Sequence, residues 1–230
     1  MIKRTLQIAL FVSLLPVAFS SFAQIERYVA GTHYTELPNP VNTRDASKVE
    51  VLEAFWYGCS HCFRFEPLLT AWEENAPDDV DVVRFPALWN DLMKIHAQVY
   101  YTAEALDKLD VLHTPVFNAI NLQGNRLQNE SQIGSLFAEH GVTAEDFEKA
   151  FNSFSVRTKV NQAEKRMQDY QIRSTPNMIV NGKRSDAPLY DASLAMRDKA
   201  HTYNNYLLCE KYMEEALRMI RKTNGEYPTE

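Results

Sequence analysis

Two cysteines three residues apart, Cys59 and Cys62, are the side chains of this sequence best placed for covalent chemistry. A thiol pair at this spacing can close into a disulfide and reopen, passing an electron pair to or from a second pair of thiols. The pair follows Phe55-Trp56-Tyr57-Gly58 and brackets Ser60 and His61. Upstream, Lys48–Tyr57 is nearly continuously apolar and rich in β-branched and aromatic residues, the pattern of a strand buried on both faces. Downstream, Cys59 to about Asn75 reads as a helix with Pro67 as a kink point.

The pair thus sits where a strand hands over to a helix. Cys59 falls at the helix N-terminus, where unpaired backbone N–H groups and the helix dipole stabilise an anion. Cys62 lies one turn further in. Cys59 is therefore expected to be the exposed nucleophile with a lowered pKa, and Cys62 the more buried resolving thiol. A fall from ~8.5 to ~4.5 would stabilise the reduced form by roughly 3.4 kcal/mol at neutral pH, which raises the reduction potential by about 75 mV. A protein tuned in that direction gives its disulfide away. His61 can present a positive or hydrogen-bonding edge to the Cys59 sulfur. Ser60 is a first-turn residue able to cap the helix.

Other uses of the pair fit less well. A zinc site needs more Cys or His ligands at matching spacing, and Cys209 with His33, His96, His113, His140 and His201 forms no such second half. A structural disulfide across three residues would restrain almost no loop entropy. A cysteine hydrolase gains nothing from a second thiol beside its nucleophile.

Two more features bear on the pair. Glu53 interrupts the apolar strand six residues before Cys59. It is expected to be a buried carboxyl with a raised pKa, relaying a proton to or from Cys62, with Arg84 on the next strand as its charged neighbour. The second is Arg173-Ser174-Thr175-Pro176, ahead of the strand Asn177–Val180. A cis proline there would expose the backbone of Thr175 for pairing with an extended peptide.

The elements that must position these residues follow from the rest of the chain. A second strand is expected over Val80–Phe85, closed by Pro86, and helical periods from about Asn90 to Tyr170. His113-Thr114-Pro115 reads as a helix start, with Thr114 as cap and Pro115 in the first turn. Thr143 with Asp146 resembles a capping box. Asn181-Gly182 predicts a tight hairpin whose second strand lies around Lys183. A long amphipathic helix is expected from about Ser193 to Arg221, and Cys209 within it is read as a buried inert thiol rather than a dimer bridge. Strand, helix, strand, helical block, hairpin and helix can assemble as one mixed sheet with helices packed on it.

Residues 1–23 carry Lys3 and Arg4, then an apolar stretch interrupted by Pro16, then small residues at Ser21 and Ala23. This is the pattern of a secretory signal peptide cleaved before Gln24, which would deliver the protein to a compartment where disulfides persist. The formal charge of -6 becomes -8 without Lys3 and Arg4. An acidic chain without a basic cluster argues against nucleic acid as a partner.

VLEAFWYGCSHCFRFEP at 51–67, NSF at 152–154 and STPNMIVNGK at 174–183 together resemble the thioredoxin superfamily and, within it, the bacterial periplasmic DsbA family. The resemblance implies an α/β thioredoxin-like fold, a mixed central sheet flanked by helices, with an inserted helical domain. The expected division is a signal peptide at 1–23, thioredoxin-like parts at 24–88 and 164–230, and the helical insertion at 89–163. It further implies a monomeric periplasmic oxidoreductase without cofactor or metal, whose redox group is the Cys59–Cys62 disulfide. Its substrates would be reduced exported proteins, and its reoxidant a membrane quinone reductase of the DsbB type. By motif, Cys59 is the nucleophile, Cys62 the resolving cysteine, His61 the thiolate stabiliser, Pro176 the cis proline and Glu53 the buried acid, with Ser60, Thr175 and Pro176 facing substrate. Ser60 stands where proline is usual in the family and Thr175 where valine is common, differences that bear on potential and partner choice. A disulfide isomerase or reductase, and a peptide-binding chaperone, are the alternatives for this fold.

Overall fold

The computed structural model describes residues 35–37, 41–181 and 189–191, and the side-chain surroundings of residues 41–180. The expected signal peptide, the long C-terminal helix and Cys209 lie outside the described residues.

A short strand β1 (Thr35–Leu37) precedes the apolar strand β2 (Val49–Phe55), which is buried along its whole length. Helix α1 (Ser60–Glu73) follows, and β3 (Val80–Pro86) returns beside β2 in parallel. Five helices come next: α2 (Asp91–Ala105), α3 (Leu109–Asn121), α4 (Glu130–Glu139), α5 (Ala144–Phe151) and α6 (Phe154–Asp169). Two strands complete the sheet, β4 (Asn177–Asn181) and β5 (Leu189–Asp191). The strand order is β1-β5-β4-β2-β3, with every pairing antiparallel except β2 with β3. This is a mixed sheet with helices packed on it, as the alternation of patterns implied. No helix among the described residues is long and apolar enough to cross a membrane.

Local chemistry accounts for most helix starts. Asn90, Asn129, Thr143 and Ser153 each accept a backbone N–H of the first turn through the side chain, satisfying a donor the helix itself cannot. Thr143 also donates its hydroxyl to the Asp146 carboxylate at 2.7 Å, so the cap read from the sequence is present as its N-cap half, with the Asp146 side chain on the hydroxyl instead of the Thr143 backbone N–H.

Two sequence expectations are corrected. Helix α3 begins at Leu109, before the His113-Thr114-Pro115 signal, so Pro115 lies inside it. Packing overrides the proline there, because Leu112, Val116 and Phe117 go into the core only if the helix is already running. The β4 hairpin does not turn tightly at Asn181-Gly182. Asn181 pairs with Leu189, so the partner strand lies at 189–191 and not around Lys183. Residues 163 and 164, where the expected insertion ends, lie within α6, a single helix packed along α2.

The core runs without a break from the sheet into the helical block. Phe55, Tyr57, Phe85, Leu112, Phe117, Ile133 and Phe137 are all essentially inaccessible and belong to one cluster. At about 25 cal/mol per Å² of apolar surface, each such side chain contributes roughly 1.5–3 kcal/mol by leaving water. The turn Trp56–Cys59 is mounted on that continuous base.

Candidate active site

Helix α1 does not start with Ser60 as cap. Cys59 is the N-cap itself, in extended conformation, and its sulfur accepts the backbone N–H of Cys62 at 3.5 Å. The turn before it is closed by the Cys59 N–H, which donates to the Trp56 carbonyl at 2.9 Å. Ser60 is the first residue of the helix and is exposed.

The Cys59 pKa falls from 9.0 to about 5. The leading cause is a hydrogen bond from the Cys62 thiol. Burial opposes it. The backbone N–H of Cys62, the Thr175 side chain and the backbone N–H of His61 add to it. The thiolate is therefore held by donors at a helix N-terminus and by its own partner thiol. Cys62 is fully buried and behaves oppositely. Burial pushes its thiol well up, helped by its hydrogen bond to Cys59 and by the nearby Glu53 carboxylate. Both cysteines are free thiols in this structure.

The Thr175-Pro176 peptide bond is cis. It brings Thr175 to the redox pair across 116 residues of sequence, with the Cys59 thiol 3.5 Å from the Thr175 carbonyl oxygen, its acceptor. The sequence reading assigned Thr175 only a backbone pairing with substrate. Its hydroxyl in addition favours the Cys59 thiolate. The His61 ring accepts from Arg64 at 3.0 Å through Nδ1, so what it directs at Cys59 includes the backbone N–H.

Glu53 is fully buried on β2, opposite Arg84 of β3 and Met178 of β4. Neither of its carboxylate oxygens accepts a hydrogen bond. The Arg84 Nε lies 3.8 Å away, an ion contact too long to be a hydrogen bond. Burial and the neighbouring Glu66 carboxylate push the Glu53 pKa well up, and Arg84 offsets this only in part. Arg84 divides its charge, reaching Glu66 at 3.1 Å and Glu73 at 2.6 Å. Burial thus moves the Glu53 carboxyl well above the usual carboxylate range, with Arg84 opposing.

The sequence reading missed two members of this network. Glu66 is buried on α1, lowered from its ordinary pKa because His113 and Arg84 outweigh the effect of burial. Its spacing from Cys59 and Cys62, seven and four residues, puts it on their helix face, a signal present in the sequence but indistinguishable there from a solvated acid. His113 lies 3.4 Å from Glu66 through Nε2 and 2.7 Å from the Tyr57 hydroxyl through Nδ1. A groove of about 550 Å³, lined by Glu66, Arg84, Tyr100 and His113 among others, opens beside them.

A dithiol with one low and one high pKa, near a buried acid of raised pKa and facing a cis-proline loop, can exchange its disulfide with an incoming thiol. Comparison with known proteins agrees with this chemistry. Residues 82–193 match the family model of the DSBA-like thioredoxin domain. The chain is similar to the thiol:disulfide interchange protein DsbA of Pseudomonas aeruginosa, with 38% identity over 165 residues, 72% of this chain and 78% of the relative. The Azotobacter vinelandii protein of the same name is 41% identical over 153 residues, 66% of this chain and 72% of the relative. Among solved structures, Pseudomonas aeruginosa DsbA matches with TM-score 0.66 and 34% identity, covering 74% of this chain and 91% of that one. The oxidoreductase DsbA of Xylella fastidiosa gives TM-score 0.66 and 26% identity over 80% and 97% of the two chains.

Proposed function

Because the chain belongs to the DsbA family of thiol:disulfide interchange proteins, we propose that its disulfide is donated through Cys59, with Cys62 as resolving thiol and Glu53 as the acid that serves it. The observation that carries this reading is the opposed pair of thiols, Cys59 at about 5 and Cys62 pushed well up by burial.

The reaction starts from the Cys59–Cys62 disulfide. A substrate thiolate attacks the half-exposed Cys59 sulfur. The Cys59–Cys62 bond breaks, a mixed disulfide forms, and Cys62 leaves with the electron pair. A thiolate at that buried position is unfavourable, so it takes a proton, and the raised pKa of Glu53 suits that carboxyl to supply it. The second substrate thiolate then attacks the substrate sulfur of the mixed disulfide. Cys59 leaves as a thiolate already stabilised by the start of α1, so this step runs downhill. The substrate is oxidised to a disulfide and the enzyme pair is reduced by the same two electrons. Thr175 and Pro176 stand beside the reacting sulfur, where the peptide carrying the substrate thiol must lie, and Ser60 is exposed at the same helix start. His61 completes the surround of the thiolate.

The rest of the proposal extends outward from the site. The enzyme works without a cofactor, in the periplasm, as a monomer, on reduced exported proteins. A membrane quinone reductase of the DsbB type restores its disulfide. The leader pattern of residues 1–23 supports this setting.

The test is oxidative refolding of a reduced, cysteine-containing protein. The wild-type protein is expected to restore activity to that substrate stoichiometrically, and Cys59→Ser to be inert. Cys62→Ala, offered the same substrate in its disulfide form, is expected to attack it through Cys59 and accumulate the mixed disulfide, visible by mass, with one substrate thiol released and no second enzyme thiol to resolve it. A Cys59→Ser variant that still oxidises substrate would end the assignment.

A further inference from the structure

We propose that His96 is a positioning residue for the redox turn: hydrogen-bonded at both ring nitrogens, it ties Trp56 to the backbone at Arg126 and so holds Cys59 against the start of α1. The inference rests on the reading of Cys59 as the nucleophile.

The ring's bonding is defined by its partners. The Trp56 indole N–H donates to His96 Nδ1 at 2.9 Å. An indole nitrogen can only donate, so Nδ1 carries no proton. The other nitrogen, Nε2, lies 2.9 Å from the carbonyl oxygen of Arg126, which can only accept, so Nε2 carries the hydrogen. His96 is 1% exposed. Burial favours its neutral form, and the Arg126 charge acts in the same direction. This is a neutral imidazole with its tautomer set from both sides.

Trp56 links that ring to the chemistry in two ways. Its carbonyl accepts the Cys59 N–H, closing the turn. Its indole fills the space over Gly58, where a Cβ would come within 2.4 Å of the ring. The residue before the nucleophile therefore has no side chain because the indole occupies its place. His96 comes from α2 and Arg126 from the segment joining α3 to α4. The helical block thereby grips the turn through one imidazole. Without the grip the partly buried indole N–H loses its acceptor. The turn can then drift from the geometry that points the Cys59 sulfur at the N–H groups of His61 and Cys62.

The discriminating variants are His96→Gln and His96→Leu. A glutamine amide can accept from the indole and donate to the carbonyl, whereas leucine approximates the volume with neither bond. The readouts are the ultraviolet absorbance of the Cys59 thiolate against pH, the indole ¹⁵N–¹H resonance of Trp56, and the rate of oxidation of a reduced two-cysteine peptide. His96→Leu is expected to raise the thiolate midpoint by about one pH unit, a roughly tenfold change in the ionisation equilibrium. It should also move the indole resonance, while His96→Gln restores both toward wild type. Trp56→Phe removes the same indole N–H from the other side and should reproduce the leucine shift, and it decides the matter if His96→Leu does not fold. A wild-type midpoint in folded His96→Leu or Trp56→Phe overturns the proposal, as does a glutamine variant displaced as far as leucine. Cys59→Ser in the same assays separates the two readings, since retained peptide oxidation there refutes Cys59 as nucleophile and not the role of His96.

Discussion

The potential of the Cys59–Cys62 couple should break slope with pH at the Cys59 pKa. Below that pKa, reduction of the disulfide takes up two protons with the electron pair; above it, only one, because Cys59 stays a thiolate. Each proton contributes about 30 mV per pH unit for a two-electron couple, so the slope should halve from about 60 to about 30 mV per unit. The break is expected near pH 5, where the helix start and the Cys62 thiol place the Cys59 ionisation. Relative to a thiol at its ordinary 9.0, ionisation at neutral pH stabilises the reduced state by at most about 2.7 kcal/mol. Cys59 is only partly buried, and solvent screening roughly halves that to ~1.4 kcal/mol. The potential is then raised by about 30–60 mV. The sign for stability follows from the same depression. The reduced folded protein gains stability as pH rises from about 5 toward 9.0 and loses it as pH falls through 5, whereas the disulfide form has no such dependence. The assay is equilibration with glutathione buffers across the acid and neutral range, with denaturant unfolding of both redox forms in parallel. A slope that stays near 60 mV per unit up to about pH 8 would refute the reasoning, since it means the sulfur is protonated where the structure holds it ionised.

Three further outcomes are expected. Thr175→Val removes a hydroxyl that favours the Cys59 thiolate and should raise the Cys59 midpoint by less than about one pH unit, read by thiolate absorbance. Glu53→Gln should slow disulfide donation at least about tenfold in stopped-flow measurements, since it removes the acid beneath Cys62. The same variant should be more stable than wild type by about 1–2 kcal/mol at neutral pH. Because the folded pKa of Glu53 is raised, that advantage should shrink as pH falls toward the ordinary 4.5 and vanish below it. Arg84→Met leaves Glu53 and Glu66 without their shared cation and should cost about 3–5 kcal/mol in chemical denaturation.

The sequence by itself determined what depends on near neighbours in the chain. The spacing of Cys59 and Cys62 behind an apolar strand was enough to place them at a helix start, because strand, turn and cap lie within a dozen residues. The same holds for the Thr143 cap on the first turn of α5, whose partner Asp146 is three residues away. The sign of the Glu53 shift was also legible, since a carboxyl on a strand whose flanking residues are apolar and buried on both faces is carried inward with them. Tertiary structure decided the rest. The carbonyl of Thr175, the imidazole of His113 and the clasp of His96 on Trp56 act across 40 to 116 residues. At those separations, residue type says only that a group can donate or accept; packing chooses the partner. The misplaced start of α3 and the misread hairpin have one cause. Pro115 and Asn181-Gly182 are local preferences worth at most a few kcal/mol, and burying Leu112 or pairing Asn181 with Leu189 outweighed them.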